Sequence, residues 1–312
     1  MTPRPVVIDT DPGQDDAVAI LLALASPELE VLGITTVAGN VPLPLTSRNA
    51  RIVCELAGRT DVPVLAGMPR PLVRDLVTAE YVHGTTGLDG ADLPEPSMPL
   101  HSGHAVDWLI GTLLARPAGA VTVCTLGPLT NVAAAMIREP AIVPRIGGIV
   151  LMGGGFFEGG NTTPAAEFNV FVDPHAADVV FRSGVPLTML PLDVTHRARL
   201  LPEYVARIRA LGDPIGTAVA GWLAYYERYD RDRYALDGGP LHDPCVIAYL
   251  LDPGLFGGRD CNVRIETGSE LTMGMTVVDW WGMTGLPANC RVIGEVDAPG
   301  FFDLLIERLG RL

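Results

Sequence analysis

Four carboxylates, Asp9, Asp11, Asp15 and Asp16, fall within eight residues in the stretch Val6 to Ile20. Acids this close repel one another unless a hard cation or strong hydrogen bonding holds their charge. Val6 to Ile8 reads as a short apolar strand, Pro12-Gly13 as a turn, and 15–25 as a helix with an acidic first turn. The helix dipole accounts for Asp15 or Asp16 taken singly. It does not account for Asp9 and Asp11, which strand alternation sends to one side. Open α/β sheets bind ligands beyond the carboxyl ends of their strands, so the cluster has the makings of an oxygen-ligand site for Ca²⁺ or Mg²⁺.

Further polar groups follow other strand-like runs: Asn40, the segment Thr125-Leu126-Gly127-Pro128, and Met152-Gly153-Gly154-Gly155. Between Asn161 and Asn169, the residues Asn161, Glu167 and Asn169 bring two amides and a carboxylate suited to holding hydroxyl groups, although asparagines are also ordinary turn formers. His242-Asp243-Pro244 opens a later helix, where capping by Asp243 with proline in the first turn is the alternative to a ligand role. Tyr225, Tyr226, Tyr229 and Tyr234, just upstream, are either packing residues or a stacking wall.

The elements that must position these groups alternate along the chain. Strand-like runs at 6–8, 31–37, 62–65, 121–126, 148–152 and 187–190 are separated by helical patterns near 15–25, 45–58, 103–116, 129–138 and 175–183. Such alternation predicts an α/β fold with a mainly parallel central sheet flanked by helices and the site at the C-terminal ends of the strands. Beyond 200 the pattern predicts helices at 202–211, 214–230 and 244–251, strands near 261–267 and 291–296, and a last helix at 301–310. The stretch 67–102, long and rich in Gly and Pro, is a candidate active-site loop. No linker composition divides the chain, so a single domain over 1–312 is expected.

The formal charge is −14, and all 22 basic residues are arginine. An acidic chain without basic clusters makes a poor nucleic-acid binder. The absence of lysine excludes Walker-type phosphate loops and Schiff-base chemistry. No apolar run is long enough to span a bilayer and no signal-peptide pattern opens the chain, which predicts a soluble, cytoplasmic protein without membrane partners. Cys54, Cys124, Cys245, Cys261 and Cys290 form no CxxC pair and read as small core residues.

Together the motifs resemble the inosine-uridine-preferring nucleoside hydrolases. The resemblance is carried by Asp9-Thr10-Asp11-Pro12-Gly13-Gln14-Asp15-Asp16, Ala38-Gly39-Asn40, His83-Gly84 through Gly87-Leu88-Asp89-Gly90, Gly127-Pro128-Leu129-Thr130-Asn131, Met152-Gly153-Gly154, Glu167-Phe168-Asn169 and His242-Asp243-Pro244. It implies Ca²⁺-dependent hydrolysis of ribonucleosides to ribose and free base, in salvage or catabolism, by a homotetramer or homodimer. It implies Asp11 as general base and metal ligand, with Asp16, the Leu126 carbonyl and Asp243 completing the ion's ligands and Asp9 as a support. Asp15 and Asn40 would hold the lower ribose hydroxyls; Asn161, Glu167, Phe168, Asn169 and the Met152 backbone would line the 5′ side. His242 would protonate the leaving base, with His83, Tyr226 and Tyr234 on the base side. Thr85-Thr86 departs from the acid and serine frequent after the His-Gly pair, which bears on base preference.

Two other readings use the same residues. An Asp-x-Asp phosphotransferase would phosphorylate Asp9 over Mg²⁺, but its lysine is missing here. A Ca²⁺-dependent ribose-binding protein would keep the fold without turnover, which retention of both Asp11 and His242 argues against.

Overall fold

The computed structural model describes residues 2–234 and 238–312, with the side chains of 230 and 232–234 also outside the description. Ten strands occur among the described residues: β1 (Arg4–Thr10), β2 (Leu29–Thr36), β3 (Val64–Ala66), β4 (Val121–Thr125), β5 (Ile146–Met152), β6 (Leu187–Leu190), β7 (Phe256–Cys261), β8 (Val263–Ile265), β9 (Thr276–Val278) and β10 (Cys290–Val296). Eight form one sheet in the order β3-β2-β1-β4-β5-β6-β10-β7. All its pairings are parallel except β10 with β7. The α/β architecture read from the alternation is therefore the one the chain adopts.

β1 lies at the centre because Val6, Val7 and Ile8 leave it no polar face; all three are fully buried. The helix Gln14–Leu24 that follows is buried along all its eleven residues, as expected where a helix is apolar all round. It packs against the helix Pro244–Leu251, so the first and last thirds of the chain meet beside β1. The strand order reverses direction on either side of β1, with β2 to one side and β4 to the other, which opens a crevice at its carboxyl end.

Several boundaries differ from expectation. The strand expected at 261–267 is two elements: β7 pairs antiparallel with β10, and β8 leaves the sheet to pair with β9. Gly257 and Gly258 hide β7 in the sequence because glycine carries little strand propensity. They are needed where they stand, since a Cβ on Gly258 would collide with the Val292 carbonyl of β10. The one-turn helices Glu80–His83, Phe168–Val172 and Leu192–Thr195 are too short to announce themselves by periodicity. All five cysteines are buried and unbridged, and burial lifts the Cys54 and Cys124 thiols to about 12, as small core residues require.

The C-terminal helix Ala298–Leu309 closes the same core with Phe301, Phe302 and Leu305, all fully buried. Phe301→Ala should cost about 3–5 kcal/mol in urea unfolding; a loss below about 1 kcal/mol would mean that this helix is not part of the core.

Candidate active site

The carboxylates are placed by the end of β1 and the turn after it. Asp9, still in the strand, accepts hydrogen bonds on Oδ2 from Thr35 Oγ1 at 2.5 Å and Asn131 Nδ2 at 2.8 Å. Its burial nonetheless lifts its pKa to about 7. Its Oδ1 is buried without a hydrogen-bond partner, and the side chain is enclosed in the wall of the sheet.

Asp11 lies just past the strand, with Oδ2 fixed by the Asn40 backbone N–H at 2.7 Å. Its Oδ1 is buried and has no hydrogen-bond partner. Two glycines make room for this carboxylate: a Cβ on Gly39 would overlap Oδ2, and one on Gly127 would overlap Oδ1. Neither glycine sits at a positive φ, so close approach and not backbone strain is what requires them.

Asp16 is held by Thr10 Oγ1 at 2.5 Å, the Gly13 N–H at 2.9 Å and Asn40 Nδ2 at 3.1 Å. Its bond to Gly13 is the expected contribution of an acid in a first helical turn. Asp243 makes no capping hydrogen bond with the helix it precedes, so capping does not explain it. Carboxylate oxygens of Asp15, Asp16 and Asp243 all lie within 4.8 Å of one another, a separation that suits a shared cation. Asp11 stands beside this trio and is not part of it.

Burial is the first cause of the raised pKa of all four acids, and mutual repulsion adds to it for Asp11, Asp15 and Asp243. Asp15 rises to about 8. Burial of this kind favours the protonated form of a carboxyl, and a cation at the site favours the charged one. The orphaned Asp11 oxygen and the three converging carboxylates fit a hard divalent metal.

Above the acids opens a cavity of about 480 Å³ bordered by Asp15, Asn40, Leu126, Met152, Asn169 and Asp243. Asn169 Nδ2 donates to the Leu126 carbonyl at 2.7 Å and the Met152 carbonyl at 3.2 Å, tying the ends of β4 and β5 together. Glu167 takes up the N–H groups of Gly154, Asn169 and Val170, and burial lifts it to about 7. Asn161 Oδ1 accepts from the Phe168 N–H at 3.0 Å. Asn161, Glu167 and Phe168 all border the cavity, but the first two do part of their work inside the loop.

The far wall carries His83, Tyr226 and His242. His83 comes from the long 67–102 segment, which thus reaches the site as expected. Tyr226 lies between the two histidines, its ring 5.6 Å from that of His83 and 6.5 Å from that of His242. His242 Nδ1 meets Thr195 Oγ1 at 2.7 Å, and burial with the nearby His196 pushes its pKa well below the usual value. The side chain of Tyr234, expected beside the base, lies outside the described residues.

Several cavity residues escaped the sequence reading. Tyr81, His196, Arg197 and Arg199 border the cavity, and Tyr81 lies against Tyr229, one of the tyrosines read as packing residues or a stacking wall, with ring centroids 5.5 Å apart and planes tilted by 56°. Thr195 and His196 follow the end of β6, so the rule that pointed to Asn40 and Leu126 also pointed to them. Tyr81 left no such signal, because its one-turn helix was invisible.

A parallel sheet whose strand ends surround buried carboxylates, with a cavity above them, offers a site that could hold a metal ion and a small polar ligand. The family model "Inosine-uridine preferring nucleoside hydrolase" matches residues 6–303. A pyrimidine-specific ribonucleoside hydrolase of Photobacterium profundum is 48% identical over 307 residues, covering 98% of both chains. An uncharacterized protein of Schizosaccharomyces pombe is 53% identical over 98% of this chain and 99% of its own. The structure of a purine-preferring ribonucleoside hydrolase from Gardnerella vaginalis superposes with a TM-score of 0.92 at 32% identity, covering 98% of each. The chain belongs to the inosine-uridine preferring nucleoside hydrolase family. It is an enzyme, a ribonucleoside hydrolase acting on N-glycosyl bonds. No helix among the described residues is long and apolar enough to cross a membrane.

Two outcomes follow from this geometry. Gly127→Ala should leave the circular dichroism spectrum unchanged and lower kcat about a hundredfold by displacing Asp11; an unchanged kcat would mean the carboxylate position is not critical. In metal-free protein, carboxyls that stay protonated only when folded make stability fall as pH rises through their folded pKa. The raised Asp15 alone predicts a loss of about 1 kcal/mol between pH 7 and pH 8, levelling off above its folded value. The depressed His83 and His242 act oppositely, but only below the unfolded histidine value near 6.5, so they do not disturb that window. Thermal denaturation of chelated protein between about pH 7 and pH 8 reads the slope, and a saturating divalent cation should flatten it; a flat metal-free curve would contradict the assignment.

Proposed function

We propose that the chain is a Ca²⁺-dependent ribonucleoside hydrolase acting in nucleoside salvage or catabolism, in the cytoplasm, as one catalytic unit over 1–312 in a homotetramer or homodimer. The observation that carries this is Asp11: one oxygen is locked by Asn40 N–H while the other is buried, unpartnered and beside three converging acids. Asp11, Asp16, Asp243 and the Leu126 carbonyl would hold the ion, and the nearness of Asp15 to the same cluster makes it a further oxygen donor. Calcium, when bound, supplies the positive charge that favours loss of a proton from a neighbouring water and attracts ribose hydroxyls.

Asp11 takes the proton of the water that attacks the anomeric carbon. Asp15 and Asn40, at the floor of the cavity, hold the lower ribose hydroxyls. Asn161, Glu167, Asn169 and the Met152 backbone hold the 5′ end, with Phe168 against the sugar. These contacts matter most as positive charge builds on the sugar ring, where they strengthen relative to the ground state. Glu167 already serves three neighbouring backbone N–H groups, so its part is to fix the loop as well as to meet the sugar.

On the base side, His242 delivers the proton. Burial disfavours the charged ring, so a proton taken up on Nδ1, with the Thr195 hydroxyl oxygen as its acceptor, makes an imidazolium acidic enough to pass its Nε2 proton to the departing base and return to the neutral ring. Tyr226 and Tyr234 complete this side with His83. The 48% identity to a pyrimidine-specific enzyme makes uridine and cytidine the first substrates to try, alongside inosine and adenosine.

Asp11→Asn should remain folded and lose about two to four orders of magnitude in kcat. Chelation should abolish turnover reversibly, with calcium restoring it. Release of free base from the four nucleosides measures both; near-normal rates in either case would reject the mechanism, and binding without release would favour the sugar-binding reading.

A further inference from the structure

We infer that Gln14 locks His83 in the tautomer that carries its proton on Nδ1, so that Nε2 offers the base a hydrogen-bond acceptor and selects bases with a lactam N–H. The inference rests on the nucleoside-hydrolase reading of the cavity and adds a specificity contact to it.

Gln14 is the first residue of the helix that also carries Asp15 and Asp16. Its Nε2 donates to two carbonyls, His83 O at 2.9 Å and Asp89 O at 3.0 Å. Carbonyls only accept, so both amide hydrogens are committed and the orientation of the amide is fixed. The remaining Oε1, an acceptor, faces His83 Nδ1 at 2.7 Å. That nitrogen must therefore be the donor.

In a neutral imidazole the other nitrogen is then a lone-pair acceptor. The ring is neutral, since burial drives its pKa down to about 3. His83 borders the cavity, and its Nε2 is neither hydrogen-bonded nor sealed among the described residues. The Nδ1 edge abuts Gly13, where a Cβ would strike the ring, so that edge is turned to the helix N-terminus and the opposite edge to the cavity. The tyrosine ring of Tyr226 flanks it at 5.6 Å. A neutral acceptor of this kind does not protonate a leaving group. It pairs with an N–H such as N3–H of uracil, and His242 alone is left to supply the proton.

Two measurements on the full-length enzyme test this. Long-range ¹H–¹⁵N spectra of protein labelled at the histidine ring nitrogens, assigned with His83→Ala, should show Nδ1 protonated and Nε2 bare in the free enzyme. A proton on Nε2 overturns the inference without touching the assigned activity. Turnover of uridine against 3-methyluridine reads the contact itself: wild type should prefer uridine about 10- to 100-fold in kcat/KM. Gln14→Met keeps the ring but frees its proton, and should bring that ratio towards one, as should His83→Ala if the first variant does not fold. Equal use of both nucleosides by wild type, or an undiminished ratio in the variants, overturns the proposal. A wild type that cleaves no nucleoside at all defeats the functional reading instead, and the spectra then decide the tautomer alone.

Discussion

The burial of four neighbouring carboxylates governs this structure. Asp11, Asp15, Asp16 and Asp243 are each less than one-tenth exposed, and desolvation raises the pKa of each. Uncompensated anions in such a place would cost several kcal/mol apiece. The chain accepts that cost, and the surrounding elements are arranged around it. β1 ends there, the helix Gln14–Leu24 begins there, and Pro244–Leu251 packs against that helix to bring Asp243 in from far along the chain. A site assembled from both ends of the sequence exists only in the folded state, so ligand binding and folding are thermodynamically linked.

The hydrogen bonds around the acids hold them to different degrees. Asp16 and Asp9 have donors from Thr10, Gly13, Thr35 and Asn131, which fix their positions. Asp11 is held by one oxygen only, in a slot that Gly39 and Gly127 keep clear. Asp9 likewise keeps a buried, unpartnered Oδ1, but it sits within the strand, whereas Asp11 lies beside Asp15 and Asp16. The histidines across the cavity show the same division: His83 is committed through Gln14, whereas the Thr195 hydroxyl facing His242 can either donate or accept.

The sheet was legible because β1, β2, β4 and β5 are apolar runs separated by helical stretches, and both signals survive without tertiary context. The site was legible for a related reason: functional groups follow strand ends, and Asp11, Asn40, Leu126 and Met152 do so. β7 was placed too late because its glycines have weak strand propensity, although contact with β10 is what demands them. Asp243 could be read either as a cap or as a ligand, and only geometry separated the two. Gln14 stands in the first motif, but nothing local announced its pairing with His83. Its partners, His83 and Asp89, are about seventy residues distant, and pairing of that range is set by topology.

The central claim is that the buried carboxyls hold protons that a divalent cation displaces. Titration calorimetry of the metal-free enzyme with calcium, repeated near neutral pH in buffers of different ionisation enthalpy, counts those protons directly. The account predicts tight binding with release of at least one proton per ion, and loss of both binding and release in Asp243→Asn. Binding without proton release, or no binding at all, would contradict it.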